Sequence, residues 1–145
     1  MEHVARITDL LGGAKALGTR PASEQDFVAL LRRGLPVRSL QAVLRWLGLT
    51  DEEASASLGV PKRTLARRKA EGARLKAAES ERVLRLARVA TLAEQALGSL
   101  ENAQKWLRSP NTALAGEAPL SLLDTDLGTE SVLDELRRFE YGVFS

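Results

Sequence analysis

The chain has 145 residues, no cysteine and a formal net charge of +2, with 44% hydrophobic and 28% charged residues. This composition suits one folded domain or two very small ones, and it excludes disulfides and thiolate chemistry. Leucine and alanine are abundant while aromatic residues make up only 4%, so we expect an all-α protein. Because no apolar block is long enough for a signal peptide or a membrane span, we expect a cytoplasmic protein.

Charge is distributed unevenly along the chain. Between residues 61 and 76, seven bases accompany Glu71 as the single acid, a surplus of +6. Between residues 101 and 145, eight acids face four bases, a balance of −4. The basic segment therefore suits a polyanionic partner, and the C-terminal third does not.

The first half of the chain shows helix signals after a weakly patterned segment at residues 1–22. Ser23 is placed as the N-cap of a helix that stops at Gly34. Pro36 suits the first turn of the next helix, whose apolar residues repeat at helical spacing until Gly48.

Two short helices are predicted next. Thr50 and Glu53 form the pattern of a capping box, which predicts a helix closed by Gly59. A further helix is predicted to begin at Pro61 and to end near Gly72.

The second half is also predicted to be helical. Predicted helices run from an N-cap at Ser80 to Gly98, from Leu100 to a break at Ser109-Pro110, through a short turn after Pro119, and from an N-cap at Thr129 to Gly142. We expect a DNA-binding part at residues 23–78 and a small helical C-terminal domain at residues 79–145. The long helix between them is expected to join the two parts rigidly.

The segment at residues 50–72 has the form of a helix-turn-helix. Small Ala54 allows close helix packing, Gly59 suits the turn, and Val60 and Leu65 are apolar plugs that hold the second helix to the core. The side chains expected to point away from these plugs are Lys62, Arg63, Thr64, Arg67 and Arg68, and together with Lys69 they are the candidate DNA contacts. Arg67 and Arg68 are the foremost candidates for base or phosphate contacts, although a merely solvated basic helix is the alternative.

Catalytic and metal-binding constellations are not apparent. His3 stands alone without cysteine, so a zinc site or a histidine-based triad lacks its parts. The run at residues 13–20 half-resembles a phosphate loop, but Thr19 stands where a lysine is needed. Asp124 and Asp126 are more simply explained as turn and cap residues. We therefore predict no enzyme, no cofactor and no metal.

Aromatic residues near the C-terminal end are candidates for partner binding. Phe139, Tyr141, Val143 and Phe144 bring four large apolar groups close together where chain ends are usually polar. Part of this cluster must pack on the body, and the rest suits a partner surface. Trp106 is interpreted as a core residue, with an interface as the alternative.

Several separated motifs resemble one known family. They are Arg63-Thr-Leu-Ala-Arg-Arg-Lys69, Glu79-Ser-Glu-Arg82, Leu84-Arg-Leu-Ala-Arg-Val89, Ala103-Gln-Lys-Trp-Leu107, Ser109-Pro-Asn-Thr-Ala-Leu114, Gly116, Pro119-Leu120, Gly128 and Glu140-Tyr-Gly-Val143. In order and spacing they resemble the Xre-type antitoxins of the Xre/MbcA/ParS family, over roughly residues 30–145.

The resemblance implies a type II toxin–antitoxin system with a Res-type toxin that consumes NAD+. The C-terminal domain would obstruct the toxin's active site, and the protein would repress its own operon at an inverted repeat. Such a repeat implies a homodimer or a higher toxin–antitoxin assembly. The implied toxin-binding residues are Arg137, Arg138, Glu140, Tyr141, Gly142, Val143, Phe144 and Ser145.

Two alternatives remain open at this point. One is a stand-alone helix-turn-helix regulator whose C-terminal part dimerises or senses a small molecule. The other is a nucleotide or NAD+-related enzyme that uses Asp124 and Asp126. The single histidine near the start of the chain, the lack of cysteine and the lack of a glycine-rich loop argue against it.

Overall fold

In a computed structural model, which describes residues 1–140 apart from the side chain of Glu140, the chain is almost entirely helical. The α-helices are α1 (Val4–Leu10), α2 (Gly13–Leu17), α3 (Glu24–Arg33), α4 (Val37–Leu47), α5 (Asp51–Leu58), α6 (Lys62–Glu71), α7 (Ala77–Leu97), α8 (Leu100–Arg108) and α9 (Asp126–Glu140). Two short 3₁₀ helices, Thr112–Leu114 and Pro119–Leu122, connect α8 to α9. The predicted all-α fold is confirmed.

Helix α7 is the central element of the fold. Helices α1, α3, α4, α5, α8 and α9 all pack against it. Its buried stripe includes Val83, Leu86, Ala87, Ala90 and Ala93, each at most 2% exposed. Because three of these side chains are only methyl groups, neighbouring helices can approach α7 closely from several directions. The two halves of the chain therefore share one core.

Local sequence signals set the boundaries of α3 to α6. The Ser23 hydroxyl accepts a hydrogen bond from the Asp26 amide, and Thr50 and Glu53 form the reciprocal bonds of a capping box. Gly59 closes α5 in the left-handed region at φ 63°. These caps confirm the predicted starts and the predicted end.

Two predicted N-caps are wrong. Helix α7 begins three residues before Ser80, whose hydroxyl is buried and accepts a hydrogen bond from the Leu35 amide at 2.8 Å. Helix α9 begins before Thr129, and it is the Thr125 hydroxyl that accepts a bond from the Gly128 amide. A serine or threonine near acidic residues resembles an N-cap in sequence. Here the Ser80 and Thr129 hydroxyls make hydrogen bonds within the folded protein and do not cap a helix.

The weakly patterned N-terminal segment forms α1 and α2. Ile7, Leu11 and Leu17 are at most 2% exposed, so this segment contributes to the core. The Arg6 guanidinium forms two hydrogen bonds of 2.8 and 2.7 Å to the Glu94 carboxylate on α7. It also lies 5.1 Å from the ring centroid of Trp46 on α4. Residues 1–22 thus connect α4 to α7.

The loop after α6 is fastened to the loop before α4. The Leu75 amide donates to the Leu35 carbonyl at 2.8 Å, and Arg74 donates to the Gly34 carbonyl at 2.6 Å. Gly34 has φ +89°, and a Cβ there would lie 2.1 Å from the Leu75 carbonyl oxygen. Only glycine allows this close approach, which fixes the C-terminal end of α6 on the body.

Candidate nucleic-acid interface and C-terminal surface

Helices α5 and α6 form a compact helix-turn-helix. The Ser55 hydroxyl donates to the Val60 carbonyl at 2.6 Å and thereby holds the turn. Val60 and Leu65 are 6% and 5% exposed, and Ala54 is fully buried. The predicted roles of these apolar residues are confirmed, because they fix one face of α6 on the core and leave the other face outside.

The outer face of α6 carries three of the predicted DNA contacts. Lys62, Arg63 and Arg67 are exposed, and Thr64 is half-buried beside them. Arg63 forms no ion pair within residues 1–140, and Arg67 has only a 3.7 Å contact with Glu71. A face of this kind presents cations to a polyanion at little desolvation cost.

Arg68 does not lie on this outer face, so the expectation that it points away from the core is wrong. It is 9% exposed, and its guanidinium forms hydrogen bonds of 3.0 and 3.2 Å to the Glu79 carboxylate on α7. Burial alone would raise the pKa of Glu79, but the hydrogen bonds from Arg68 and from the Lys76 amide outweigh burial and lower it. Arg68 therefore fastens α6 to α7.

Both lysines of α6 pair with acids in the first turn of α5. The Lys62 ammonium lies 2.7 Å from Glu52, and the Lys69 ammonium lies 3.4 Å from Asp51. The hydrogen bond from Lys62 lowers the pKa of the Glu52 carboxyl. Since both pairs are near the surface, phosphates can compete with these acids for the lysines.

Helix α8 clamps the C-terminal end of α4. Gln104 donates to the Trp46 carbonyl at 2.6 Å, and Arg108 donates to the Leu47 carbonyl at 3.2 Å and also to the Gly48 carbonyl. Because α4 ends here, these carbonyls lack the amide donors that a following helical turn would supply. The side chains of α8 donate hydrogen bonds to them instead.

Arg108 also reaches the helix-turn-helix directly. Its Nε donates to Glu53 at 2.8 Å, and this bond lowers the pKa of the Glu53 carboxyl. Glu53 is the capping-box residue of α5, so one arginine of the C-terminal region positions both α4 and α5. Sequence reasoning missed Gln104 and Arg108 because their partners lie 55 or more residues away and leave no local pattern.

The C-terminal surface is formed by α8 and α9. Trp106 meets Phe139 edge to face, with ring centroids 6.2 Å apart, so Trp106 packs against the last helix. Arg137 and Arg138 are exposed and pair with Asp134 and Glu135, respectively, one helical turn earlier.

The remaining predicted toxin contacts are not described by the structure. They are the side chain of Glu140 and residues Tyr141, Gly142, Val143, Phe144 and Ser145. Sequence reasoning did not select Leu127, which is 80% exposed in the first turn of α9. Next to it, Asp126 pairs with Arg85 of α7, which ties the start of α9 to the central helix.

Within residues 1–140, no group of three or more acidic or histidine side chains is arranged to hold a metal ion. None of the helices there combines the length and apolar character needed to cross a bilayer.

The fold is that of a helix-turn-helix protein whose basic outer helix is continuous, through α7, with a second helical region. Known families match both regions. Residues 26–88 match the antitoxin Xre-like helix-turn-helix domain, and residues 92–142 match the antitoxin Xre/MbcA/ParS C-terminal toxin-binding domain. Helix α7 spans the interval between the two matches.

Several antitoxins are similar in sequence to this chain over most of its length. The chain is 33% identical over 127 residues to an "Antitoxin Xre" of Yersinia enterocolitica, with 86% of each chain covered. It is 28% identical over 132 residues to an "Antitoxin Xre" of Photorhabdus laumondii, covering 90% and 89%. A "Prs ADP-ribosylating antitoxin" of a Sphingobium species is 27% identical over 133 residues, covering 86% and 84%. The chain belongs to the Xre antitoxin family.

Proposed function

We propose that this protein neutralises a Res-type toxin that consumes NAD+ and represses its own operon by binding an inverted repeat in promoter DNA. The proposal rests mainly on one observation. The chain matches both an antitoxin helix-turn-helix domain and a toxin-binding domain, and the two regions share the central helix α7. The name of the Sphingobium relative links that protein to ADP-ribosylation, a chemistry that uses NAD+. This link supports an NAD+-dependent toxin as the partner here.

The neutralising surface in this proposal is the end of α9 with the residues after it. Arg137, Arg138 and Glu140 bring charge, while Tyr141 and the following residues bring apolar groups that suit a cleft. Glu140 would pair with arginines that bind NAD+ in the toxin. The remaining residues of the surface are Gly142, Val143, Phe144 and Ser145.

The DNA-binding surface in this proposal is the outer face of α6. Arg63, Arg67, Lys62 and Thr64 would contact phosphates and base edges in a major groove. An inverted repeat requires a second copy of the helix-turn-helix, so the repressing form would be a homodimer or a larger assembly with the toxin. The protein would act in the cytoplasm, without a cofactor of its own.

Cellular NAD+ provides the test of neutralisation. The full chain is co-expressed with the product of the neighbouring gene, the proposed Res-type toxin, and NAD+ is measured in extracts. We expect the full chain to preserve NAD+ and a variant lacking residues 140–145 to lose this protection. Full protection by the truncated variant would reject the assigned surface, and failure of the full chain to copurify with the toxin would reject the partner.

DNA binding is tested separately. Arg63→Ala and Arg67→Ala should each weaken binding to the DNA upstream of the gene, with about 1–3 kcal/mol lost where the arginine reads a base. Both variants should still preserve NAD+, because α6 takes no part in the proposed toxin contact. Unchanged DNA binding by both variants would contradict the assignment of α6. If the protein were instead a stand-alone regulator, the full chain would bind DNA but leave the toxin active.

A further inference from the structure

A second cationic face lies on α4 and α2, outside the helix-turn-helix. Arg38 and Arg45 are seven residues apart on α4, which puts both on one exposed side of the helix, and Gln41 lies between them. Lys15 of α2 lies across from them. Together these four side chains line a surface depression of about 250 Å3 in which every ionisable group is a cation.

The cations of this face have no acidic partner in the described chain. Lys15, Arg38 and Arg45 form no ion pair with any residue of 1–140, whereas Lys62 and Lys69 on α6 are each paired with an acid. Arginines with a structural role in this fold behave differently, as Arg68 does with Glu79. Unpaired like charges around one depression repel each other, so their arrangement favours an anionic ligand.

The packing of α2 on α4 holds the face together. Gly12 has φ +97°, and a Cβ added there would lie 2.6 Å from the Ala16 methyl group and 3.5 Å from the Ala42 methyl group. The first distance lies within the turn that begins α2 and the second is ordinary contact with α4, so α2, which carries Lys15, packs directly on α4. The spacing of the cations is therefore set by two packed helices and not by a loop.

The face adjoins the side of α6 that carries Lys69, one of the candidate DNA contacts. A second depression of about 400 Å3 is lined by Gln41 and Arg45 on one side and by Lys69 of α6 on the other. The acid that lines this depression, Asp51, is already paired with Lys69. A cationic strip thus runs from the C-terminal turn of α6 along α4 to α2.

We propose that the α4 face, defined as Lys15, Arg38, Gln41 and Arg45, binds the phosphates of one DNA strand beside the groove that α6 enters. This proposal rests on the proposed DNA-binding function and extends the contact beyond the helix-turn-helix. Seven helical residues span about 10 Å, a length over which one strand of duplex DNA carries about three phosphates at a rise of ~3.4 Å. The two arginines can therefore engage phosphates of the same strand simultaneously.

Salt dependence distinguishes phosphate contacts from other effects. The double variant Arg38→Ala/Arg45→Ala and the unmodified full chain are titrated with fluorescent duplexes at several salt concentrations. One duplex is the DNA upstream of the gene, and the other has a random sequence of the same length. Removal of two phosphate contacts should reduce the slope of log affinity against log salt by about 1.8 and weaken binding roughly tenfold to thirtyfold at physiological salt, for both duplexes alike.

Two control variants identify the cause of any change. Lys105→Ala/Arg88→Ala removes the same charge from exposed positions of α8 and α7 and should leave the slope unchanged. Arg38→Lys/Arg45→Lys keeps the charges and should retain most of the slope, as expected if the two side chains contact phosphate through their charge. An equal loss in the first control would attribute the effect to net charge and overturn the proposal.

Failure of this proposal is distinguishable from failure of the proposed function. If the double variant keeps the full slope while Arg63→Ala weakens binding, α6 binds DNA and the α4 face does not. If the double variant loses toxin binding instead of DNA affinity, the face belongs to a protein partner and the proposal is overturned. If the unmodified chain binds neither duplex, the proposed function fails first and this proposal fails with it.

Discussion

Cations on α2 and α4 are arranged differently from those on α8 and α9. Lys15 of α2 and Arg38 and Arg45 of α4 are exposed and have no acidic partner in the described residues. Lys105 and Arg108 of α8 and Arg137 and Arg138 of α9 each pair with an acid. The difference separates cations that an acid of the fold already neutralises from cations that are available to a polyanion.

The largest effect on stability is expected where a cation is buried and paired. Arg68→Ala should lower the melting temperature by several degrees, because it leaves the half-buried Glu79 carboxylate without its guanidinium partner. Arg67→Ala is the matched control on the neighbouring position and should leave the melting temperature nearly unchanged while it weakens DNA binding. Thermal unfolding followed by circular dichroism measures both variants. Equal melting temperatures for the two variants would contradict the distinction between paired and free cations.

The clamp made by α8 is expected to have the next largest effect. Arg108→Ala removes the donors to the Leu47 and Gly48 carbonyls and the partner of Glu53, and it should cost about 1 kcal/mol of unfolding free energy. Because the clamp positions α4 and α5, DNA affinity should fall as well. Lys105→Ala, on the same helix, removes only an exposed pair with Glu101 and serves as the control. Chemical denaturation and DNA titration measure the two effects, and a loss of stability as large in Lys105→Ala would refute the clamp.

Low pH should weaken the ion pairs that join the helices. Ion pairs and hydrogen bonds lower the pKa values of Glu53, Glu79 and Glu94, so these carboxylates stabilise the fold fully above the unfolded pKa of glutamate, about 4.3. That stability is lost as the pH falls through the lower pKa values of the folded protein. We expect the unfolding free energy to decrease by roughly 1–2 kcal/mol between pH 6 and pH 3. Glu79→Gln should flatten this dependence, and an identical pH profile in that variant would remove Glu79 from the explanation.

Sequence patterns predicted those parts of the molecule that are determined locally. The caps at Ser23 and Thr50 and the end at Gly59 involve residues within one or two turns, and the plugs Val60 and Leu65 follow from position in the helix-turn-helix. Positions that depend on distant partners were not predictable in this way.

The errors have identifiable physical causes. Ser80 resembles a cap, but its hydroxyl serves an amide 45 residues earlier in the chain. Arg68 was placed on the outer face, although it lies three positions after Leu65 and therefore on the same side of the helix as that buried plug. For Arg68, strict helical periodicity would have corrected the prediction. For Ser80 and for the α8 clamp, no local signal exists.

The smallest expected effect concerns the acids that compete with phosphate at α6. Glu52 and Lys62 are both more than half exposed, with relative side-chain exposures of 72% and 54%. Glu52→Gln keeps the shape of the side chain but removes its charge, which frees Lys62 for phosphate and removes an acid beside the DNA surface. Affinity for random-sequence duplex should rise roughly twofold to fivefold, since exposed ion pairs are weak.

The same change at a remote pair controls for net charge. Glu101→Gln on α8 frees Lys105 in an equally exposed pair, and it should leave DNA affinity unchanged. Both affinities are measured by fluorescence anisotropy at low and physiological salt. If both substitutions raise DNA affinity equally, overall charge and not the position of the lysine governs binding. If only Glu52→Gln raises it, the acids of α5 compete with phosphate for the lysines of α6. The cations of α4, which have no acidic partner among the described residues, would then contact phosphate without such competition.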